Sequence, residues 1–83
     1  MYKLRISSGA EKEIKKIPQP HQKAILLALT DIKEEPFLGK PLTRELTRRF
    51  SFRVGVFRII YKVNKKDNVI DILTAGHRAT VYG

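Results

Sequence analysis

The sequence contains no cysteine and only two histidines, His21 and His77. Disulfide bridges and thiolate metal sites are therefore excluded, and a structural zinc site is not expected. No apolar run approaches the roughly 18 residues that a transmembrane helix needs. The first residues, Met1 to Ile6, also lack the apolar stretch of a signal peptide. We therefore expect a cytoplasmic protein that is not inserted in a membrane.

Acidic residues are scarce, since 8 Asp and Glu oppose 17 Lys and Arg, which gives a formal net charge of +9. This balance favours a polyanionic partner such as nucleic acid, an acidic protein or an anionic membrane surface. Six of the seven arginines lie in residues 44–83, so an anion is expected to bind there. The 83 residues suffice for one modest core, and we predict a single domain over residues 1–83.

The first part of the chain predicts a strand followed by a helix. Polar and apolar residues alternate from Lys3 to Ser7, as in a short strand. Ser7 or Ser8 is suited to cap the helix that follows, and Pro18 ends it.

A second helix is predicted after a proline turn. Pro20 suits its first turn, and the helix is expected to end near Glu35. Its apolar stripe recurs at helical spacing and is widened by Leu26 and Leu27, so we expect this helix to be well buried. Residues 37–46 are predicted to be a connector.

The stretch from Phe50 to Tyr61 predicts a β-hairpin, because apolar and polar residues alternate on both sides of Gly55. A turn at this glycine places Arg53 directly opposite Arg58. Like charges in that position disfavour a sheet, unless an anion such as phosphate binds between the two planar guanidinium groups. The hairpin therefore predicts one face for the core and one for a phosphate-bearing ligand. The predicted core residues are Phe50, Phe52, Phe57, Ile59 and Tyr61.

The last predicted long strand is Val69 to Ala75, which is apolar enough for an inner strand although Asp71 interrupts its pattern. The predicted order is strand, helix, helix and three strands. We therefore predict an α+β fold in which a helical hairpin covers one face of a small, mainly antiparallel sheet and leaves the other face open.

Several motifs together resemble the RelE/ParE toxin superfamily of toxin–antitoxin systems, and are closer to its RelE-like mRNA interferases. They are the run from Phe52 to Tyr61, then Gly76 to Arg78, and the closing pair of Val81 and Tyr82. Gly39 to Leu42 before the sheet agrees with this pattern. The resemblance covers nearly the whole chain, and it implies that the sheet is curved with the helical hairpin on one side.

The resemblance also implies a function. RelE-like toxins cut mRNA in the ribosomal A site without a metal ion: the ribose 2′-hydroxyl attacks the adjacent phosphate and leaves a 2′,3′-cyclic phosphate. ParE-like toxins instead poison DNA gyrase, and both kinds are neutralised by an antitoxin. We therefore expect mRNA on the ribosome and a cognate acidic antitoxin as partners, a toxin–antitoxin hetero-oligomer, and no cofactor.

Five residues are predicted to be catalytic by this resemblance and by the needs of the reaction. Arg53 and Arg58 would contact the scissile phosphate, and Arg78 would complete a cationic clamp. Tyr82 would stack on a base or assist proton transfer, and His77 has an unperturbed pKa near neutrality. The alternative interpretation makes these residues structural or merely solvated, with Arg78 as a salt-bridge partner of an acidic residue.

Four further cations are predicted to bind RNA phosphates, or antitoxin carboxylates, by general electrostatics: Arg44, Arg48, Arg49 and Lys62. One position departs from the family pattern. Some RelE-like enzymes use lysines in the strand that contains Ser51 and Arg53, and a serine cannot act as a cationic base. Two other functions therefore remain open: inhibition of gyrase, and a non-catalytic toxin that only binds an acidic partner or nucleic acid.

Overall fold

A computed structural model of the protein describes residues 2–42 and 49–77. The predicted order of one strand, two helices and three strands is confirmed, and a two-residue strand is added inside the predicted connector. The elements are β1 (Lys3–Ile6), α1 (Ser8–Lys16), α2 (Gln19–Glu34), β2 (Lys40–Pro41), β3 (Arg49–Val54), β4 (Phe57–Asn64) and β5 (Val69–His77).

The strands form one five-stranded sheet in the order β1-β5-β4-β3-β2. Strand β1 pairs with β5 in parallel, whereas the other three pairings are antiparallel. The sheet is therefore mixed and mainly antiparallel, as predicted. The prediction that β5 is an inner strand is also confirmed, because β1 and β4 flank it.

Local sequence signals set the helix ends. The hydroxyl of Ser7 accepts a hydrogen bond of 3.0 Å from the backbone N–H of Ala10, and so caps α1. After α1 the backbone is extended at Ile17 and Pro18, and Pro20 occupies the first turn of α2. The side-chain amide of Gln22 donates to the Ile14 carbonyl at 2.9 Å, which ties the two helices together.

The expectation that α2 is well buried was wrong for two of its leucines. Leu26 and Leu27 are 49% and 68% exposed, respectively. The sheet lies on only one side of the helix, and a helix that packs on one side buries a single stripe. Residues next to each other in a helix point about 100° apart, so the leucines beside that stripe turn outward. The buried residues of α2 are Ile25, Ala28, Leu29 and Ile32.

The core lies between the two helices and one face of the sheet. Of the predicted hairpin residues, Phe50, Ile59 and Tyr61 are buried, while Phe52 and Phe57 are half-buried and pack against the core. The Phe50 and Tyr61 rings stack with centroids 5.5 Å apart.

Tyr61 links this core to the segment before β2. Its phenol donates to the carbonyl of Pro36 at 2.8 Å and accepts from the backbone N–H of Gly39 at 2.9 Å. Burial raises the pKa of Tyr61, and the hydrogen bond from Gly39 opposes that rise only in part. Gly39 has no room for a side chain, since an added Cβ would lie 2.5 Å from the phenol oxygen.

A register shift in the β4–β5 pair explains the irregular pattern of β5. Ile60 pairs with Thr74 but the next residue, Tyr61, pairs with Ile72, so Leu73 is an extra residue. The face to which side chains point therefore changes along β5. Asp71, which interrupts the apolar pattern, lies beside Arg5 of β1 and accepts a hydrogen bond of 2.6 Å from it.

Candidate functional site

The predicted opposition of two arginines across the hairpin is confirmed. In the β3–β4 register Arg53 pairs with Arg58, Phe52 with Ile59 and Phe50 with Tyr61. Gly55 makes the turn possible because its φ is 60°, in the left-handed region that favours glycine. Directly paired residues point to the same face, so both guanidinium groups lie on the side opposite the aromatic core.

That second side of the sheet forms a surface that we call the cationic face. This side is distinct from the core between the helices and the sheet. Ile60, which points to it, is buried but is not part of that core cluster. The buried residues of α1 and α2 all belong to the helix-side core cluster. The face consists of Lys40 of β2, Arg49, Ser51 and Arg53 of β3, and Arg58, Ile60 and Lys62 of β4.

Three cations of the cationic face form no ion pair with a described carboxylate. Lys62 pairs with Arg49 on one side and with Asp71 on the other, but Asp71 forms its ion pair with Arg5 at 2.6 Å. This contact raises the pKa of Arg5. In the part of the chain that the structure describes, Arg49, Arg53 and Lys62 form no ion pair. The face therefore has positive charge available for an external anion.

Two buried polar atoms on the same side also have unused hydrogen-bonding capacity. Within the described ranges, Nε of Arg49 and Oγ1 of Thr74 have no hydrogen-bond partner. Thr74 belongs to this side because it pairs with Ile60. Most buried polar groups in proteins are satisfied, so exceptions often mark a place where a ligand or water binds.

A glycine of β5 lies next to the arginine pair. Gly76 of β5 lies directly opposite Arg58, so three adjacent strands present Arg53, Arg58 and a bare backbone position in one row. Gly76 itself is buried. The Gly76 of the family motif therefore lies in the same row of the sheet as the arginine pair.

The structure does not bring His77 to the arginine pair. His77 pairs with Phe57, and the two rings meet edge to face with centroids 6.0 Å apart. Phe57 packs against the helix-side core and also contacts the ring of His21, at 5.3 Å. Because neighbours in a strand point to opposite faces, Gly76 lies beside Arg58 whereas His77 turns to the helix side. We therefore favour the structural interpretation of His77.

Other predicted site residues fall in two groups. Arg49 and Lys62 face each other on the cationic face, next to the row of Ser51 and Ile60. Four predicted residues lie outside the described residues and stay predictions: Arg44, Arg48, Arg78 and Tyr82.

Lys40 is the one cation of the cationic face that was not among the predicted site residues. It pairs directly with Ser51 through β2. A strand of two residues shows no alternation, and Pro41 beside it is typical of a loop or a sheet edge. The available signal was Gly39, since a glycine within a family motif often marks a close backbone approach.

Two further observations on the described residues concern metal binding and membrane insertion. They include no group of three or more His, Cys, Asp or Glu side chains that could hold a metal ion. None of their helices is both long enough and apolar enough to cross a membrane.

Two helices on one face of a five-stranded mixed sheet are the fold of RelE toxins. The isolated RelE toxin of E. coli superposes with a TM-score of 0.83 at 22% sequence identity, over 99% of this chain and 92% of that chain. The family model of the ParE toxin of type II toxin–antitoxin systems, parDE, matches residues 4–82. The protein therefore belongs to this toxin family, within the RelE/ParE superfamily, and is a toxin of a type II toxin–antitoxin system.

Two matches from Mycobacterium tuberculosis, one to a sequence and one to a solved structure, are more similar in sequence. Toxin RelG of Mycobacterium tuberculosis (strain H37Rv) is 35% identical over 83 residues, which cover 98% of this chain and 95% of the relative. A chain of the toxin–antitoxin complex RelBE2 from the same species has 34% identity and a TM-score of 0.82, over 93% of this chain and 98% of that chain.

Proposed function

We propose that this toxin is a ribosome-dependent endoribonuclease that cuts mRNA in the cytoplasm, without a metal ion, and so inhibits translation. The direct opposition of Arg53 and Arg58 carries this proposal. Two like charges are paired directly across the hairpin, and Arg53 forms no ion pair with a described carboxylate. Such a pair is more stable when a phosphate lies between the two guanidinium groups.

The proposed reaction needs charge stabilisation more than any other contribution. The ribose 2′-oxygen attacks the adjacent phosphorus, a P–O2′ bond forms and the P–O5′ bond breaks. A base accepts the 2′ proton, and the leaving 5′-oxygen gains a proton. Arg53 and Arg58 donate hydrogen bonds to the non-bridging oxygens, where negative charge increases in the phosphorane.

The remaining cations extend this site along the RNA. Arg49 and Lys62 lie on the same face and would bind a neighbouring phosphate, with the unused Nε of Arg49 as one donor. Arg78 and Tyr82 keep their proposed roles as a third guanidinium and as a stacking or proton-transfer residue. Arg44 and Arg48 are proposed to add to the general attraction for RNA.

We also propose that a cognate acidic antitoxin binds this toxin in a hetero-oligomer. The net charge of +9 supports an acidic partner. The similar chain of the Mycobacterium tuberculosis RelBE2 structure is part of a toxin–antitoxin complex. An amphipathic helix or a strand of the antitoxin would cover the cationic face or part of it.

The test is to induce the protein in cells and map the 5′ ends of mRNA by primer extension. We expect new cuts within translated codons, and we expect them to vanish when translation is blocked. Growth arrest with intact mRNA would contradict the proposal.

Inhibition of DNA gyrase is the second candidate function. It is favoured by the ParE family match over residues 4–82 and by Ser51 at a position where some RelE-like enzymes have lysine. Gyrase-linked DNA breaks in induced cells with unchanged mRNA would support it. Salt-sensitive RNA binding with neither cleavage nor growth arrest would instead identify a non-catalytic toxin.

A further inference from the structure

Ser51 leaves the central row of the cationic face without a cation from β3, but the structure places one directly beside it. Lys40 and Ser51 are direct partners in the antiparallel β2–β3 pair. Such partners have Cα atoms roughly 4.5–5.5 Å apart and point to the same face. Lys40 is exposed, whereas Ser51 is buried, so the lysine stem can extend across the small serine side chain.

The backbone on both sides of Lys40 is anchored to the rest of the protein. Gly39 donates its backbone N–H to the buried Tyr61 phenol at 2.9 Å. An added Cβ on Gly39 would lie 3.1 Å from both Cβ of Phe50 and the carbonyl oxygen of Ser51, so this backbone is packed tightly against β3. Beyond β2, the backbone N–H of Leu42 donates to the Arg49 carbonyl at 3.1 Å. Lys40 is thus held between two anchored residues.

The charge of Lys40 is available for a ligand. Within residues 2–42 and 49–77, no carboxylate forms an ion pair with Lys40. Arg53 lies two positions along β3 from Ser51, the direct partner of Lys40, on the same face. Diagonal neighbours of this kind are roughly 7–8 Å apart, which long side chains can span.

We propose that Lys40 supplies, from the edge strand, the cation that Ser51 does not provide in β3, and that its ammonium group contacts the scissile phosphate together with Arg53 and Arg58. This inference rests on the proposed ribonuclease function. Lys40 keeps its proton throughout: it donates hydrogen bonds to the non-bridging oxygens while the P–O2′ bond forms and the P–O5′ bond breaks. The 2′ proton goes to a separate base.

The test is the rate of cleavage of ribosome-bound mRNA at saturating toxin, measured for the wild type, Lys40→Ala and Lys40→Arg. We expect Lys40→Ala to lower the maximal rate by roughly 100-fold, the loss typical of one oxyanion-stabilising donor. Lys40→Arg should retain most of the rate because it keeps the charge. Lys12→Ala, at an exposed position of α1, is the matched control and should cleave like the wild type.

A double variant tests whether Lys40→Ala lowers the rate by removing the ammonium charge or by disturbing the structure. In a Lys40→Ala background, Ser51→Lys places an ammonium group in the same row, and we expect it to restore most of the lost rate. Equal cleavage by the wild type and a folded Lys40→Ala variant would overturn the role of Lys40 while leaving the ribonuclease function intact. If the wild type itself fails to cleave ribosome-bound mRNA, the proposed function and the role of Lys40 are both refuted.

Discussion

Arg53 and Arg58 are direct cross-strand partners beside the β3–β4 turn, on the side of the sheet opposite the aromatic core. The two side chains differ in environment, since Arg53 is exposed and Arg58 is half-buried. Their opposition has a cost for the free toxin, because like charges directly opposite each other destabilise a strand pair. The same arrangement would favour a bound anion, so the proposed function would use a pair that costs the fold stability.

The first prediction concerns stability without ligand. Arg53→Thr removes the repulsion and introduces a good strand former, so we expect the free energy of unfolding to be unchanged or to rise, by up to about 1 kcal/mol. Urea unfolding of the isolated toxin measures this, with Lys12→Ala as a control. A loss of stability beyond the range of ordinary surface substitutions would show that Arg53 supports the fold rather than a ligand.

The second prediction concerns the anchor of β2. Tyr61→Phe keeps the ring but leaves the Gly39 N–H and the Pro36 carbonyl without their partner in a buried place. We expect the free energy of unfolding to fall by roughly 1–3 kcal/mol. Tyr2→Phe, at a half-buried position, is the matched control and should change the stability by less than about 0.5 kcal/mol. Equal effects of the two changes would argue against the anchor.

The third prediction is a pH dependence. The pKa of Tyr61 is raised above its ordinary value of 10.0, because burial disfavours the phenolate. The folded protein therefore keeps this proton at a pH at which the unfolded chain releases it. The resulting stabilisation is complete below the unfolded pKa and is lost as the pH rises through the folded pKa.

Comparison with Tyr61→Phe isolates this effect from the lysines, which titrate in both proteins. We expect the difference in unfolding free energy, wild type minus variant, to decrease above about pH 10. A difference that stays constant through this range would mean that the phenol is not buried.

The fourth prediction follows from the two sides of α2. Leu29 is 3% exposed and Leu27 is 68% exposed. Leu29→Ala should lower the free energy of unfolding by roughly 2–5 kcal/mol, the range for buried leucines. Leu27→Ala should change it by less than about 0.5 kcal/mol. Thermal or urea unfolding of both variants checks the assignment, and a large effect of Leu27→Ala would contradict the outward orientation.

The β3–β4 hairpin was predictable from the sequence because its pattern is local. Alternation on both sides of Gly55 fixes which residues pair, and a shift by one residue would move the aromatic side chains out of the core. The register of Arg53 with Arg58 follows from the same pattern. The helix boundaries were also close to those observed, since Ser7 and Pro18 act on adjacent backbone.

Features that depend on distant parts of the chain were not predictable. Lys40 joins the cationic face through pairing with Ser51, and a two-residue strand has no pattern of its own. Leu26 and Leu27 are exposed whereas Leu29 is buried, because the sheet packs against only one side of α2. His77 is next to Gly76 in sequence, yet strand geometry turns it to the other side.

The measurement that tests the central claim most directly is the cleavage of a defined mRNA on purified ribosomes by the wild type, Arg53→Ala and Arg58→Ala. Each variant is first checked for folding and for antitoxin binding. We predict that the wild type leaves a 2′,3′-cyclic phosphate end and that each variant cleaves roughly 100- to 1,000-fold more slowly. Cleavage by both folded variants at the wild-type rate would contradict the claim that this arginine pair holds the scissile phosphate.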